Sequence, residues 1–80
     1  MDQGTCLKGK VEKIKILKLE AQPLVRFTLT TPEEARENCV IRIHSLNFLF
    51  HVNEGNSIVV FGKRNGRNQI VVRKYHVNQA

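Results

Sequence analysis

Aromatic residues are scarce in this 80-residue chain: there is no tryptophan, a single tyrosine (Tyr75) and four phenylalanines. Any core must therefore be mostly aliphatic, and a surface built on many stacked rings is excluded. Cysteine occurs twice, as Cys6 and Cys39, with no Cys-x-x-Cys pair and no adjacent histidine. That spacing offers neither a zinc ribbon nor a dithiol redox motif. His44, His51 and His76 are too scattered to complete a metal site, so no metal and no cofactor are expected. No stretch approaches the roughly 18 apolar residues of a membrane helix. The first residues also lack the apolar run of a secretory leader. Cys6 and Cys39 are expected to be free thiols in a reducing, cytoplasmic setting.

Acidic residues are few as well. Seven Asp and Glu face thirteen Lys and Arg, a net charge of +6. Glu33, Glu34 and Glu37 gather in one polar stretch that reads as a solvated face, not as a general acid and base held in a cleft. Gly62 and Gly66 lie between two strand-like runs, where a phosphate-cradling loop would need a strand-to-helix junction. No catalytic constellation emerges, and the chain is not expected to be an enzyme.

What is present is alternation and concentrated positive charge. Hydrophobic residues make up 41% of the chain and charged ones 25%, the balance of a single globular domain over 1–80 with its core in about 6–77. Ten of the thirteen cations fall in two segments that contain one acid, Glu12. The first holds Lys8, Lys10, Lys13, Lys15 and Lys18; the second holds Lys63, Arg64, Arg67, Arg73 and Lys74. An excess of this kind favours an anionic partner, nucleic acid above all.

Met1–Thr5 reads as a loose terminus. Leu7, Gly9 and Val11 then share one face of a strand, with Lys8, Lys10 and Glu12 on the other. The phase slips at Glu12-Lys13, and one extra residue there, a β-bulge, returns Ile14 and Ile16 to the inner face. Gly9 is assigned to the tight curvature of this long strand. After a turn at Ala21-Gln22-Pro23, Leu24–Thr30 alternates again, with Val25, Phe27 and Leu29 inward. Thr31–Asn38 reads as a connecting loop, and Cys39–His44 as a third strand with Ile41 and Ile43 inward. Ile58–Phe61 and Ile70–Val72 are β-branched runs that favour strands. Asn53-Glu54-Gly55-Asn56 forms a turn before the first. Between the two lies Gly62–Asn68, whose Asn65-Gly66 step is expected to supply the positive φ angles of a hairpin. Ser45–Asn53 is ambiguous: Leu46, Leu49 and Phe50 suit a short helix capped by Ser45 and stopped at Gly55, whereas Leu46, Phe48, Phe50 and Val52 alternate as a strand would.

The step Glu54-Gly55-Asn56, followed by Ile58, Val60 and Gly62, resembles the opening of the fourth strand in the OB-fold family. The long, bulged first strand with its glycine is similar too, and the likeness runs over about Leu7–Val77. It implies an all-β, five-stranded Greek-key barrel, partly open, with at most a short helix between strands three and four. That resemblance tips Ser45–Asn53 towards a helical turn. The expected core is Val11, Ile14, Val25, Phe27, Leu29, Ile41, Ile43, Ile58 and Val60, with Phe48 and Phe50 more suited to packing than to display.

The resemblance also implies where a ligand lies. OB-folds carry single strands across the outer surface of strands two and three, framed by the loops joining strands one to two and four to five. Here that surface would present Arg26, Thr28, Arg42 and His44. Lys18 frames it on one side and Lys63, Arg64 and Arg67 on the other, with Lys10 and Arg73 beside it. Tyr75, in phase with Arg73, is the candidate for stacking on a base, and Phe61 sits out of phase with Ile58 and Val60. The expected partner is single-stranded DNA or RNA, bound with modest affinity and steep salt dependence for want of aromatic platforms. The alternative is a protein-interaction module, or a homo-oligomer, that docks onto a larger assembly.

Overall fold

The computed structural model describes residues 4–78. The loose terminus expected at Met1–Thr5 falls mainly outside that range, and Thr5 already belongs to the first strand. In chain order the elements are β1 (Thr5–Lys18), β2 (Leu24–Thr30), β3 (Arg36–Ile41), α1 (Ser45–His51), β4 (Ser57–Arg64) and β5 (Ile70–Val77). The strands join as a closed barrel in the order β1-β2-β3-β5-β4, where a partly open one was expected. Every pairing is antiparallel except β3 with β5.

β1 belongs to both halves of the barrel. Thr5–Lys10 pairs with β4, and from Lys10 onward the strand pairs with β2. The hand-over falls at Gly9, where an added Cβ would lie 2.5 Å from the Thr30 carbonyl oxygen. Glycine is required there because only a bare Cα lets β1 fold this close to the end of β2. Just beyond, the register shifts between Glu12 and Lys15, and Lys13 takes φ 54°, so the bulge inferred from the phase slip is real. Backbone groups on either side of the bulge bond to the Asn53–Asn56 turn. The Val11 N–H donates to the Asn56 carbonyl at 2.9 Å, the Gly55 N–H to the Val11 carbonyl at 2.7 Å, and the Ile14 N–H to Glu54 Oε2 at 2.9 Å.

The inward residues of each strand fill the barrel. Val11, Val25, Phe27, Leu29, Ile41, Ile58 and Val60 are buried, joined by Cys39, Phe48, Val52, Ile70 and Val72. Phe48 carries α1 onto this core by stacking on Phe27, ring centroids 4.7 Å apart. Ile14 packs against the cluster but is only half-buried. Ile16 and Ile43 correct the sequence reading, being 47% and 45% exposed. Ile16 lies near the end of β1, where the register with β2 shifts again before Lys18. Ile43 was assigned to a strand, but β3 spans Arg36–Ile41 and ends before it. The loop expected over Thr31–Asn38 accordingly stops at Ala35, with Thr31 Oγ1 accepting the Ala35 N–H at 3.2 Å.

α1 settles the ambiguous stretch as helix. Its N-cap is His44, in the left-handed region with φ 65° and no side-chain cap, not Ser45. Ser45 lies inside the first turn, buried, its Oγ without a hydrogen-bond partner among the described residues. The helix ends at His51, and Gly55 (φ 96°) turns the chain in the following loop instead of stopping the helix. Phe50, expected to pack, points away from the core and is 81% exposed.

The β4–β5 connection differs in its turn chemistry. The Asn65-Gly66 step carries no positive φ; Asn68 does, at 61°. Asn65 organises the loop through its side chain. Its Oδ1 accepts the Arg67 and Gln69 N–H groups, both at 2.9 Å, and its Nδ2 donates to Gln69 Oε1 at 3.1 Å. Asparagine is favoured here because its amide closes the turn as a backbone group would.

Candidate nucleic-acid interface

The outer surface of the barrel can be read from strand register, since paired residues present their side chains on the same side of the sheet. Lys15 lies opposite Arg26, Arg26 opposite Val40, Val40 opposite Val71, and Val71 opposite Lys63. One line of outward side chains therefore crosses four seams of the barrel, cationic at its ends and apolar at its centre. A second line joins Glu12, Thr28 and Asn38, and a third joins Lys10, Thr30 and Arg36. Thr30 Oγ1 donates to Glu12 Oε1 at 3.0 Å, which holds that carboxylate against the sheet.

The expected site residues divide by this geometry. Arg26, Thr28 and Lys10 lie on the outer face as anticipated, Arg26 and Lys10 exposed and Thr28 half-buried. Arg42 and His44 do not extend the face of β3. They follow its end, where the chain turns into α1, and the outward residues of β3 are instead Arg36, Asn38 and Val40. Arg42 nonetheless stays beside the sheet: its Nη1 donates to Glu20 Oε1 at 3.0 Å, tying the turn to the β1–β2 connection. Lys18 is exposed at the end of β1, at the mouth of that connection.

On the other flank, Lys63 is half-buried on β4 and Arg64 ends that strand. Arg64 Nη1 is already engaged, at 3.1 Å from both Glu37 Oε1 and Asn68 Oδ1. Arg67 sits exposed in the connecting loop, its side chain without a partner among the described residues. Arg73 occupies the place where the β4–β5 register shifts, between the pairs Phe61–Lys74 and Gly62–Val72. The extra residue reverses the phase of the rest of β5. Tyr75 is thereby opposite inward Val60 and out of step with Arg73. Its ring meets Phe48 edge-on, centroids 5.3 Å apart, and its hydroxyl donates to Asn47 Oδ1. Burial raises the Tyr75 pKa, so the phenol stays protonated. Phe61 is half-buried on the outer face, with the Lys74 ammonium 5.3 Å from the ring centroid.

Lys15 and Arg36 are the cations of the face that sequence reasoning left out. The bulge inferred at Lys13 places Lys15 outward by simple counting, so that signal was present. Arg36 was hidden in a stretch read as loop. The second omission is an open depression of about 520 Å³ beside the central line. Leu24, Val40, Ile43 and Val71 give it apolar walls, and Arg42 and Arg73 stand among them.

Cys39 lies inside the barrel and Cys6 outside it, so the wall separates the two thiols. Burial pushes the Cys39 thiol up to about 12, with Glu37 adding and Arg64 opposing, which leaves it protonated and a poor nucleophile. Among the described residues, no three His, Cys, Asp or Glu side chains gather as metal ligands would, and no helix is long and apolar enough to cross a membrane.

No family model matches the chain, and neither does any curated protein. Solved structures do. The mitochondrial single-stranded DNA binding protein Rim1 from S. cerevisiae superimposes with TM-score 0.78 at 12% identity, covering 99% of this chain and 98% of that one. A chain of the S. pombe Stn1–Ten1 complex gives 0.76 at 17% identity, over 96% of this chain and 59% of that one. The small single-stranded DNA-binding protein from Streptomyces coelicolor gives 0.70 at 17% identity, over 98% and 94%. At such identities the likeness is one of fold, and the fold is the OB-fold: a five-stranded barrel with one short helix between β3 and β4.

Proposed function

We propose that the chain is a non-catalytic binder of single-stranded nucleic acid, DNA in the first place, that runs the strand across the outer face of β1, β2 and β3. One observation carries this reading: the register line Lys15–Arg26–Val40–Val71–Lys63 sets cations at both ends and includes no acid. Phosphates meet Lys10, Lys15, Lys18 and Arg26 on one side and Lys63, Arg64, Arg67 and Arg73 on the other. Thr28, Arg42 and His44 lie between or beside them. Each contact releases condensed counterions, which makes affinity fall steeply with salt and depend little on sequence. Two of the structural neighbours named above are single-stranded DNA-binding proteins by name, which supports the choice of ligand. Tyr75 contributes by fixing α1 against the barrel. Cys6, an exposed free thiol, suits the reducing cytoplasm.

The test is binding of a fluorescent single-stranded oligonucleotide at low and moderate salt, with a ribose strand of the same length in parallel. Replacing Lys15 and Arg26 with Ala should lower the salt slope by roughly 1.4, at about 0.7 per phosphate contact. Glu33→Ala and Glu34→Ala, exposed and off the face, should leave it unchanged. Absence of binding by the folded parent at low salt refutes the proposal. A second reading, docking onto a protein, draws on Phe50 and Leu46, 81% and 49% exposed on one side of α1. Light scattering with Phe50→Ser alongside the parent reports a self-associating surface there.

A further inference from the structure

A strand held only by its phosphates leaves its bases in water, and the rings of this chain are occupied elsewhere. Phe27 and Phe48 are buried against each other. Tyr75 packs on Phe48 with its hydroxyl bound to Asn47. Phe61 lies beneath the Lys74 ammonium on β4, and Phe50 projects from α1. Phe61 shares the outer face under that ammonium, and the register line through Arg26, Val40 and Val71 carries no aromatic ring. What it has is the depression of about 520 Å³ whose walls include Leu24, Val40, Ile43 and Val71. That volume falls within the roughly 300–1,000 Å³ of ordinary ligand sites.

Its position is specific. Val40 and Val71 are the two apolar members of an otherwise cationic register line, so Arg26 and Lys63 flank the depression along the path of the strand. Arg42 and Arg73 stand at the depression itself, and Arg42 is steadied by Glu20 at 3.0 Å. Guanidinium planes stack on flat π faces and pair with phosphate, while aliphatic walls accept the face of a base once water is displaced.

We propose that this depression seats one nucleobase of the bound strand, gripped between aliphatic walls and the Arg42 and Arg73 guanidinium groups, with the neighbouring phosphates on Arg26 and Lys63. This rests on the strand-binding reading and adds to it the element that senses bases. Because the walls offer few groups that read a base edge, the seat discriminates a base from no base more than one base from another.

The experiment compares a short oligothymidylate with an abasic strand of equal length and charge. The parent should bind the thymidylate about tenfold more tightly, a difference of about 1.4 kcal/mol. Val40→Thr with Val71→Thr keeps the β-branched shape both strands need while making the walls polar. The pair should cut that ratio about threefold to fivefold and leave the salt slope unchanged, because no cation is removed. Ile43→Ser, outside the strands, should act in the same direction and serves if the paired variant does not fold. Equal affinity of the parent for both strands, with a normal salt slope, overturns the base seat and leaves the phosphate-binding face standing. A ratio untouched by either folded variant also overturns it, since the base then lies elsewhere. No binding of either strand brings down the face and the seat together.

Discussion

Arg64 is the cation of the β4–β5 loop whose contribution the structure changes most. Its Nη1 lies 3.1 Å from Glu37 Oε1, in a pair whose side chains are 39% and 26% exposed. A phosphate approaching Arg64 must compete with that carboxylate and meets its negative charge nearby. Arg67, in the same loop, has no such partner among the described residues. Counting charges alone assigns about 0.7 of salt slope to each arginine, 1.4 together. With the ion pair in place, Arg67→Ala should remove about 0.7, and Arg64→Ala clearly less. Glu37→Gln keeps a hydrogen-bond acceptor beside the guanidinium but removes the charge. Half-exposed pairs of this kind are worth at most about 1 kcal/mol, so the substitution should tighten oligonucleotide binding by up to about fivefold. In the Glu37→Gln background, Arg64→Ala should cost the full 0.7 or so of slope, and the difference between the two backgrounds in the binding free energy lost on Arg64→Ala is the coupling energy of the pair. Fluorescence anisotropy titrations of the parent and the four variants at several salt concentrations measure all of this. The reasoning fails if Glu37→Gln weakens binding, which would make the carboxylate a positioning group for Arg64. It fails equally if Arg64→Ala and Arg67→Ala lose the same slope in the parent.

Phe27→Ala removes the fully buried ring that α1 stacks on and should cost about 3–5 kcal/mol, against a total of about 4–12 for a chain of this length; an unchanged urea midpoint would place Phe27 outside the core. The Cys39 thiol, raised from 9.0 to about 12 in the folded chain, keeps its proton where the unfolded chain loses it. Stability should therefore fall as pH rises from about 9 towards 12, and Cys39→Ala should flatten that alkaline limb in urea titrations. A thiol reagent should label exposed Cys6 quickly and Cys39 only on unfolding, and fast labelling of both contradicts the burial of Cys39. At Gly62 an added Cβ would lie 2.0 Å from the Val71 carbonyl oxygen, a backbone atom that cannot step aside. Gly62→Ala should cost about 1–3 kcal/mol by thermal melting, and a neutral result would mean that β5 can shift without loss.

Alternation made most of the barrel legible. A strand buried on one face must repeat every two residues, so Val25, Phe27 and Leu29, or Ile58 and Val60, announce both the strand and its inner side. The bulge at Lys13 was legible for the same reason, as a break in that repeat. Features that depend on partners distant in sequence were not. Where β3 stops is set by its pairing with β2 and β5, and the alternation Cys39–Ile41–Ile43 continues one step past it, so Ile43 was counted as core. The extra residue at Arg73 reversed Tyr75 because the runs on either side are too short to reveal a slip. Phe50 was assigned to packing by hydrophobicity, yet a seven-residue helix has one buried side, and Phe48 takes it. Of the site, the cations on strands were found by counting. The apolar depression was not, because it draws walls from β2, β3, β5 and the turn after β3, which only the closed barrel brings together.

The parallel pairing of β3 with β5 is short, registering only Cys39–Ile41 against Ile70–Val72. Backbone amides exchange with solvent through local openings, and a barrel opens first where it is stitched least. The amides of Ile70–Val72 should therefore exchange with deuterium ahead of those between β1 and β2, although Ile70 and Val72 are as deeply buried as the core residues there. The depression lies over that seam, with Val40 on one bank and Val71 on the other. A base seated there would hold the two banks together, and amides it never touches would slow along with those it does.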